Sequence, residues 1–413
     1  MDEIFKNYIP KEIVYIAQKF NDAGYHLYIV GGFVRDIFLG SCDIHENDID
    51  VCGDCPPDVF AEIINTDSRI KQCDANFPLG TLKLIIGNID IEYTCFRTES
   101  YRGDGHHTPS EIVFTKDIYQ DAKRRDFSIN SLYLNPLTLE IIDFFNGQSD
   151  IKSKLIKTVR DSEDVFTEDA LRLVRMCRFA AKLGFVIENE TLLGAKKCAH
   201  LLKNISTERI GAELDKLLLS GSMVSYGIDA LFNSNISKAI CKHISYDTAK
   251  KVSITTNDRY LRWAVFLSDY SAHHAHHFIV HLSLGKDLAN EVNRIIKDKA
   301  IAKNNKYDVI LHFAEIGAAA AKRQIEFIKI TFNSDISFLQ DTFIQMKAEN
   351  QFITYDTLNI DGNQIIDLLS AKGKLIKYYK HEAYKYAVFN PDKNNLEDLK
   401  AYLLSIADNA NLT

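Results

Sequence analysis

Residues 26–30, His-Leu-Tyr-Ile-Val, form a short apolar run that ends on two glycines, Gly31-Gly32. From Phe33 to Leu39 apolar residues return at helical spacing, and Gly40 closes the segment. A strand that turns through a glycine pair straight into a helix commits this part of the chain to a mixed α/β arrangement. Asp48-Ile-Asp-Val51 then alternates polar and apolar, as a half-buried strand does. Side chains repeat every second residue on a strand, so Asp48 and Asp50 share a face. Two such carboxylates repel unless a cation lies between them, and a hard divalent ion with oxygen ligands, Mg²⁺ above all, suits the pair. The glycine turn supplies the complement, because backbone N–H groups at a helix start attract a phosphate and Arg35 follows one turn in.

The flanking segments extend this reading. Residues 11–22 have the pattern of an amphipathic helix, and Pro56-Pro57-Asp58 starts another. Residues 81–86 and 89–94 read as strands joined at Gly87-Asn88, a hairpin in which Glu92 shares a face with Asp90 and Thr94. If that hairpin lies beside Asp48–Asp50, Glu92 becomes a third ligand for one or two ions of the phosphoryl-transfer kind. Beyond residue 150 the strand signals fade, and 168–182, 208–219, 260–268, 289–299 and 309–330 read as helices. The expected fold class is therefore α+β, a small mixed head over 1–145 followed by helical segments over 146–220, 221–330 and 331–413.

Charge divides along the same line. Residues 1–120 carry 10 Lys+Arg against 20 Asp+Glu, leaving 39 against 36 for the rest of a chain whose net charge is −7. An acidic head fits a metal-binding site, and a patchily basic remainder fits a polyanion. The eight cysteines are scattered and read as free thiols. No apolar run reaches the length of a membrane span and no signal peptide is apparent, so a cytoplasmic protein without membrane contact is expected.

The order GG-x-VRD, D-I-D, IEYTCFR, RRDFSIN, EDALR resembles the class II tRNA nucleotidyltransferases, the CCA-adding group with its bacterial poly(A) polymerase relatives. The resemblance runs from about residue 25 to 220 and continues more weakly to the end, where IDGNQIIDLLSAKGKLI is similar to the family's tail. It implies a polymerase-β-like head with an elongated helical neck, body and tail. It implies template-independent addition of CCA to the 3′ end of tRNA from CTP and ATP. Asp48, Asp50 and Glu92 would be catalytic and hold Mg²⁺, while Gly31, Gly32 and Arg35 would hold the triphosphate. Arg124, Arg125, Asp126 and Asn130 match the segment that positions sugar and phosphates. Glu168, Asp169 and Arg172 match the base-reading motif, with Arg175 and Arg178 also counted as nucleotide-binding.

On a helix running from Glu168 to Lys182, Asp169 and Arg172 are three apart and share a face. The carboxylate would accept from an exocyclic amino group and the guanidinium donate to the neighbouring ring acceptor, a pattern that cytosine and adenine offer and uracil and guanine reverse. For tRNA contact, Arg294, Lys297, Lys299 and Lys303 form one cluster, and Lys374 and Lys377 belong to another interleaved with Tyr378 and Tyr379. No protein partner is implied. His273-His274 and His276-His277 stand without a carboxylate cluster, and no metal is assigned to them. Two departures from the family stand out: a longer, acidic connection from Gly40 to Asp48, and His106-His107-Thr108 before Pro109 where an arginine is usual. The second leaves open a CC-adding or A-adding enzyme; a poly(A) polymerase is the other alternative.

Overall fold

A computed structural model describes residues 6–41, 49–106, 108–303 and 305–410. It divides into two compact units, residues 1–246 with 281–284, and 247–280 with 285–413.

The first unit is built on a seven-stranded mixed sheet. Its strands are β1 (Leu27–Val30), β2 (Ile49–Gly53), β3 (Ile70–Asn76), β4 (Thr81–Ile86), β5 (Ile89–Cys95), β8 (Leu132–Leu134) and β9 (Ile141–Asp143), in the order β3-β4-β5-β2-β1-β8-β9. A separate hairpin, β6 (Arg97–Ser100) with β7 (Glu111–Phe114), stands off the sheet. β2 and β5 are parallel, whereas β1 runs antiparallel to both β2 and β8.

One face of the sheet is sealed by helices α1 (Lys11–Asp22) and α3 (Pro57–Asn65). Phe20 of α1 lies 4.5 Å from the Phe60 ring, which stacks at 3.9 Å on Tyr93 of β5. The opposite face is apolar only in part. Val30, Cys52, Phe96, Ala122 and Tyr133 form a buried cluster there, but Asp50, two residues before Cys52, is exposed. The second face is therefore left open at the carboxylate, with α2 (Gly32–Phe38) at its border.

Helices α4 (Ile118–Lys123), α5 (Gly147–Lys152), α6 (Ser162–Glu168), α7 (Leu171–Leu183), α8 (Asn189–Cys198) and α9 (Thr207–Leu218) complete the part that frames the site. The helix expected from Glu168 to Lys182 is two helices. α6 ends at Glu168, Asp169 is extended (φ −143°, ψ 100°), and α7 starts at Leu171. The Asp169 carboxylate accepts from the Leu171 N–H at 2.9 Å, a short-range bond that competes with continuing the helix.

The second unit is helical. Trp263 is buried within Arg259–Phe266, Tyr307 stacks on Phe389 at 4.7 Å, and Tyr386 on Tyr402 at 4.1 Å. The expected 309–330 helix is also two, Lys306–Ile316 and Ala318–Phe332, parted at Gly317 with φ 81°. Among the described residues no helix is long and apolar enough to cross a membrane.

Candidate active site

The site grows from the glycine turn. Gly31 holds φ 78° and ψ −137°, a conformation open to glycine and strained for other residues. A β-carbon at Gly31 would stand 3.4 Å from Asp50 Oδ2, so the turn lies directly against the β2 carboxylate. In the β2–β5 register Asp50 faces Glu92, which places the two carboxylates on one face of neighbouring parallel strands. Glu92 is held by Lys83 of β4 at 3.3 Å. Asp48, the other member of the expected set, lies outside the described residues, as does His107. Among the described residues no group of three His, Cys, Asp or Glu side chains gathers in a metal-holding arrangement.

A cavity of about 770 Å³ opens beside this turn. Its lining brings together Gly31, Gly32, Arg35, Asp50, Arg124, Arg125, Asp126, Asn130, Asp169, Arg172, Arg175 and Arg178. Nine lining residues are basic (Arg35, Arg97, Arg124, Arg125, Arg172, Arg175, Arg178, Lys182, Arg209) against four acidic, so the cavity is suited to a polyanion; seven of the nine lie beyond the acidic first 120 residues. Glu92 and Glu168 are not part of this lining, and Glu168 pairs with Arg172 and Arg160.

Most charged groups in the wall are braced. Arg35 is only 1% exposed; its Nη1 donates to Asn130 Oδ1 at 2.6 Å, and Nε and Nη2 meet Asp36 at 2.8 and 2.7 Å. The guanidinium therefore ties the glycine turn to Asn130 instead of standing as an open cation. Asn130 donates to Asp126, whose Oδ2 accepts from both Nε and Nη2 of Arg175 at 3.0 and 2.7 Å. Burial would push the Asp126 carboxyl up, but Arg175 outweighs it and holds the group at about 2. Arg178 forms an ion pair with Glu213 at 2.6 Å and lies 4.3 Å over the Phe179 ring.

The Asp169/Arg172 pair, expected to read the base, differs from the arrangement expected on one helix. Asp169 sits in the break between α6 and α7, and Arg172 in the first turn of α7. Arg172 is buried; Nη1 donates to Val165 O at 3.1 Å and Glu168 Oε2 at 3.2 Å, and Nη2 to Arg124 O at 2.7 Å. Both side chains reach the same cavity, but Arg172 is oriented by Glu168 and two carbonyls, not by Asp169. Of its five N–H donors three are used, so two are left for a ligand. Burial pushes the Asp169 carboxyl upward, against the pull of Arg172.

Several wall residues were not singled out from the sequence, Arg97 (the last residue of IEYTCFR), Glu99, Tyr101, Phe179, Lys182 and Arg209, nor was Asp121, which braces the wall without lining it. Asp121 had a signal, since it lies three and four residues before Arg124 and Arg125 at helical spacing. Fully buried, it accepts from Arg124 Nε at 2.8 Å, Arg125 Nη2 at 3.1 Å and the Tyr133 hydroxyl at 2.7 Å. Glu99 gathers Arg97, Arg124 and the Tyr101 hydroxyl. Alternation along the strand, continued to Tyr101, puts Arg97, Glu99 and Tyr101 on one face, but no sequence pattern links Glu99 to Arg124, which the fold brings to it.

Burial alone would push the Asp121 carboxyl up; Arg124 and Arg125 prevail and hold it at about 2, against 3.8 ordinarily. With the folded value the lower one, its contribution is complete above about pH 4 and is lost as pH falls toward 2, a term of about 2 kcal/mol. Asp121→Asn should therefore flatten the acid loss of stability between pH 4 and 2, measured by urea unfolding at a series of pH values. It should also raise KM for nucleotide on the order of tenfold by loosening both arginines. Unchanged KM and an unchanged acid profile would reduce Asp121 to a packing residue.

The basic clusters expected to contact tRNA belong to the second unit. Arg294 is turned onto Glu291 at 3.0 and 2.7 Å and lies 3.9 Å from Asp298, so it braces its own helix. Lys297, Lys299, Lys374 and Lys377 are exposed, whereas the Lys303 side chain lies outside the described set.

Comparison with known proteins agrees with this geometry. Residues 27–157 match the Poly A polymerase head domain, and 184–247 match the probable RNA and SrmB-binding site of polymerase A. A CCA-adding enzyme of Lactococcus lactis subsp. cremoris (strain SK11) is 30% identical over 412 residues, 96% of this chain and 98% of that protein. One from Limosilactobacillus reuteri (strain DSM 20016) is 41% identical over 210 residues, 51% of this chain and 50% of its own. The fold is shared with the Bacillus stearothermophilus CCA-adding enzyme crystallised with CTP (TM-score 0.78, 24% identity, 97% of this chain and 98% of that one). It is shared too with the Thermotoga maritima enzyme complexed with tRNA (TM-score 0.65, 20% identity, 98% of each chain). A relative matched from end to end at that identity, with the motifs gathered around one cavity, places this chain in the CCA-adding enzyme family.

Proposed function

We propose that this protein adds CCA to the 3′ end of tRNA from CTP and ATP without a template. The observation that carries the reading is the single cavity in which the Asp50 carboxylate, a wall of arginines and the Asp169/Arg172 pair converge. In the reaction the tRNA 3′ oxygen attacks the α-phosphorus, the bond to the β-phosphate oxygen breaks, and pyrophosphate leaves. The arginine wall binds and orients the triphosphate. Asp126 and Asn130, held by Arg175 and Arg35, fix the wall next to the sugar. Asp169 accepts the amino hydrogen of cytosine or adenine, and the unused Arg172 donors reach the adjacent ring acceptor.

Asp50 and Glu92, as neighbouring carboxylates on one sheet face, would suit Mg²⁺, and Asp48 is the third ligand expected from the sequence. A divalent ion held there would polarise the triphosphate and favour ionisation of the attacking hydroxyl. The test is incubation with tRNA transcripts ending before CCA, after C and after CC, each with one labelled triphosphate. Incorporation on all three, CTP then ATP, supports full CCA addition. Thr108 and Pro109 line the cavity where the family usually carries an arginine before the proline, so a CC-only or A-only product would assign the difference to this segment.

Lys374 and Lys377, exposed on the helix Lys374–Phe389 beside Tyr378, would contact tRNA phosphates. Lys374→Ala/Lys377→Ala should weaken tRNA binding and reduce the slope of log K against log salt by about 2, leaving nucleotide KM unchanged. An unchanged slope would make this helix a solvated face.

A further inference from the structure

The helix Ala272–His281 carries five histidines that the proposed reaction does not use, His281 in its last turn and four, His273-His274 and His276-His277, clustered in its first two. Two of the four have other company: His274 Nδ1 lies 3.0 Å from Ser271 Oγ, and His276 Nε2 lies 3.2 Å from Asn290 Oδ1. The remaining two face each other. His273 and His277, both exposed, are one turn apart, with ring centroids 4.3 Å apart and Nε2 atoms 3.1 Å apart.

We propose that His273 and His277 form a two-histidine chelate for a transition-metal cation of the Zn²⁺ or Ni²⁺ class. Imidazole nitrogens bind such ions at about 2.0–2.1 Å, so nitrogens 3.1 Å apart subtend about 95–102° at a shared ion. That angle lies between a right-angled pair of ligands and a tetrahedral pair. Spacing of four residues on a helix keeps both ligands on one face. The donors also choose the ion: imidazole suits zinc, nickel and copper, whereas Mg²⁺ demands oxygen. The chelate therefore does not compete for the ion proposed at Asp50. Among the described residues no third His, Cys, Asp or Glu completes a metal-holding group, so water fills the other positions and the ion exchanges. Closing the chelate links two successive turns and stabilises the helix against unfolding.

The experiment uses the full chain and Ni²⁺, which favours imidazole over the exposed Cys73 thiol. Calorimetric titration of wild type should show a site that His273→Ala and His277→Ala each weaken on the order of tenfold or more. His276→Ala, on the neighbouring face, should leave that site intact. Trp263, the single tryptophan and buried in the same unit, reports unfolding there; saturating Ni²⁺ should raise its Tm by about 2 °C or more in wild type and not in His277→Ala. Mg²⁺ should do neither. Equal Ni²⁺ affinity in wild type and His277→Ala, or an equal loss in His276→Ala, would overturn the proposal.

Discussion

Asp50→Ala is expected to abolish nucleotidyl transfer, with turnover falling on the order of a thousandfold, while tRNA binding and the folding midpoint stay near wild type. The expectation combines three features of one strand. Asp50 projects from the open face of β2, lies opposite Glu92 in register, and packs under the Gly31 turn beside the arginine wall. Removing one carboxylate from an ion-binding pair takes away about 4 kcal/mol of transition-state stabilisation, which is about three orders of magnitude in rate. Stability should not suffer, because Asp50 is exposed and its neighbour Glu92 has Lys83 for company. Asp50→Asn should be nearly as inactive, since it keeps the shape and loses the charge. The measurement is single-turnover transfer at increasing Mg²⁺, with tRNA affinity measured in parallel. A variant retaining a tenth of wild-type turnover would sink the role given to this strand.

Base choice provides the second large effect. Asp169→Ala should raise UTP and GTP incorporation relative to CTP and ATP by roughly tenfold to a hundredfold, read by single-turnover incorporation of all four triphosphates on tRNA lacking its last three nucleotides. A wrong base presents a carbonyl to a carboxylate, at about 1–3 kcal/mol per mismatched contact, and alanine removes that objection. The variant should keep Arg172 in place, because Glu168, Val165 O and Arg124 O hold it. Arg172→Ala should behave differently. It strips hydrogen bonds from two carbonyls and so lowers stability as well as CTP and ATP use. The contrast between the two variants separates selection from support. Full discrimination in Asp169→Ala would place base reading on other residues of the cavity.

Much of this protein was legible in its sequence because the informative signals were local. A glycine pair between an apolar run and a helical repeat fixes a strand, turn and helix within a dozen residues. Alternation in the 81–94 segment fixes the hairpin and the face that carries Glu92. Those constraints depend on steric limits and side-chain period, which act over a few bonds. The motif order then led to the family without any coordinates.

Other features were decided only in three dimensions. The break at Asp169 is invisible to periodicity, since the apolar residues on either side keep helical spacing; what ends α6 is an extended residue whose carboxylate caps the Leu171 N–H. The roles of Arg35 and Arg172 were likewise set by partners distant in sequence, Asn130 and the Arg124 carbonyl, whereas Arg294 pairs with Glu291 and Asp298 at helical spacing. A guanidinium reads as an open cation in a sequence, yet its five donors are shared out according to which oxygens the fold brings within reach. Glu99 joins the site because a hairpin carries it there. The arginine-lined cavity is the same lesson in electrostatics: most of its basic residues come from beyond the acidic first 120 residues, and the fold turns them to face Asp50, so binding depends on which charges meet and not on net charge.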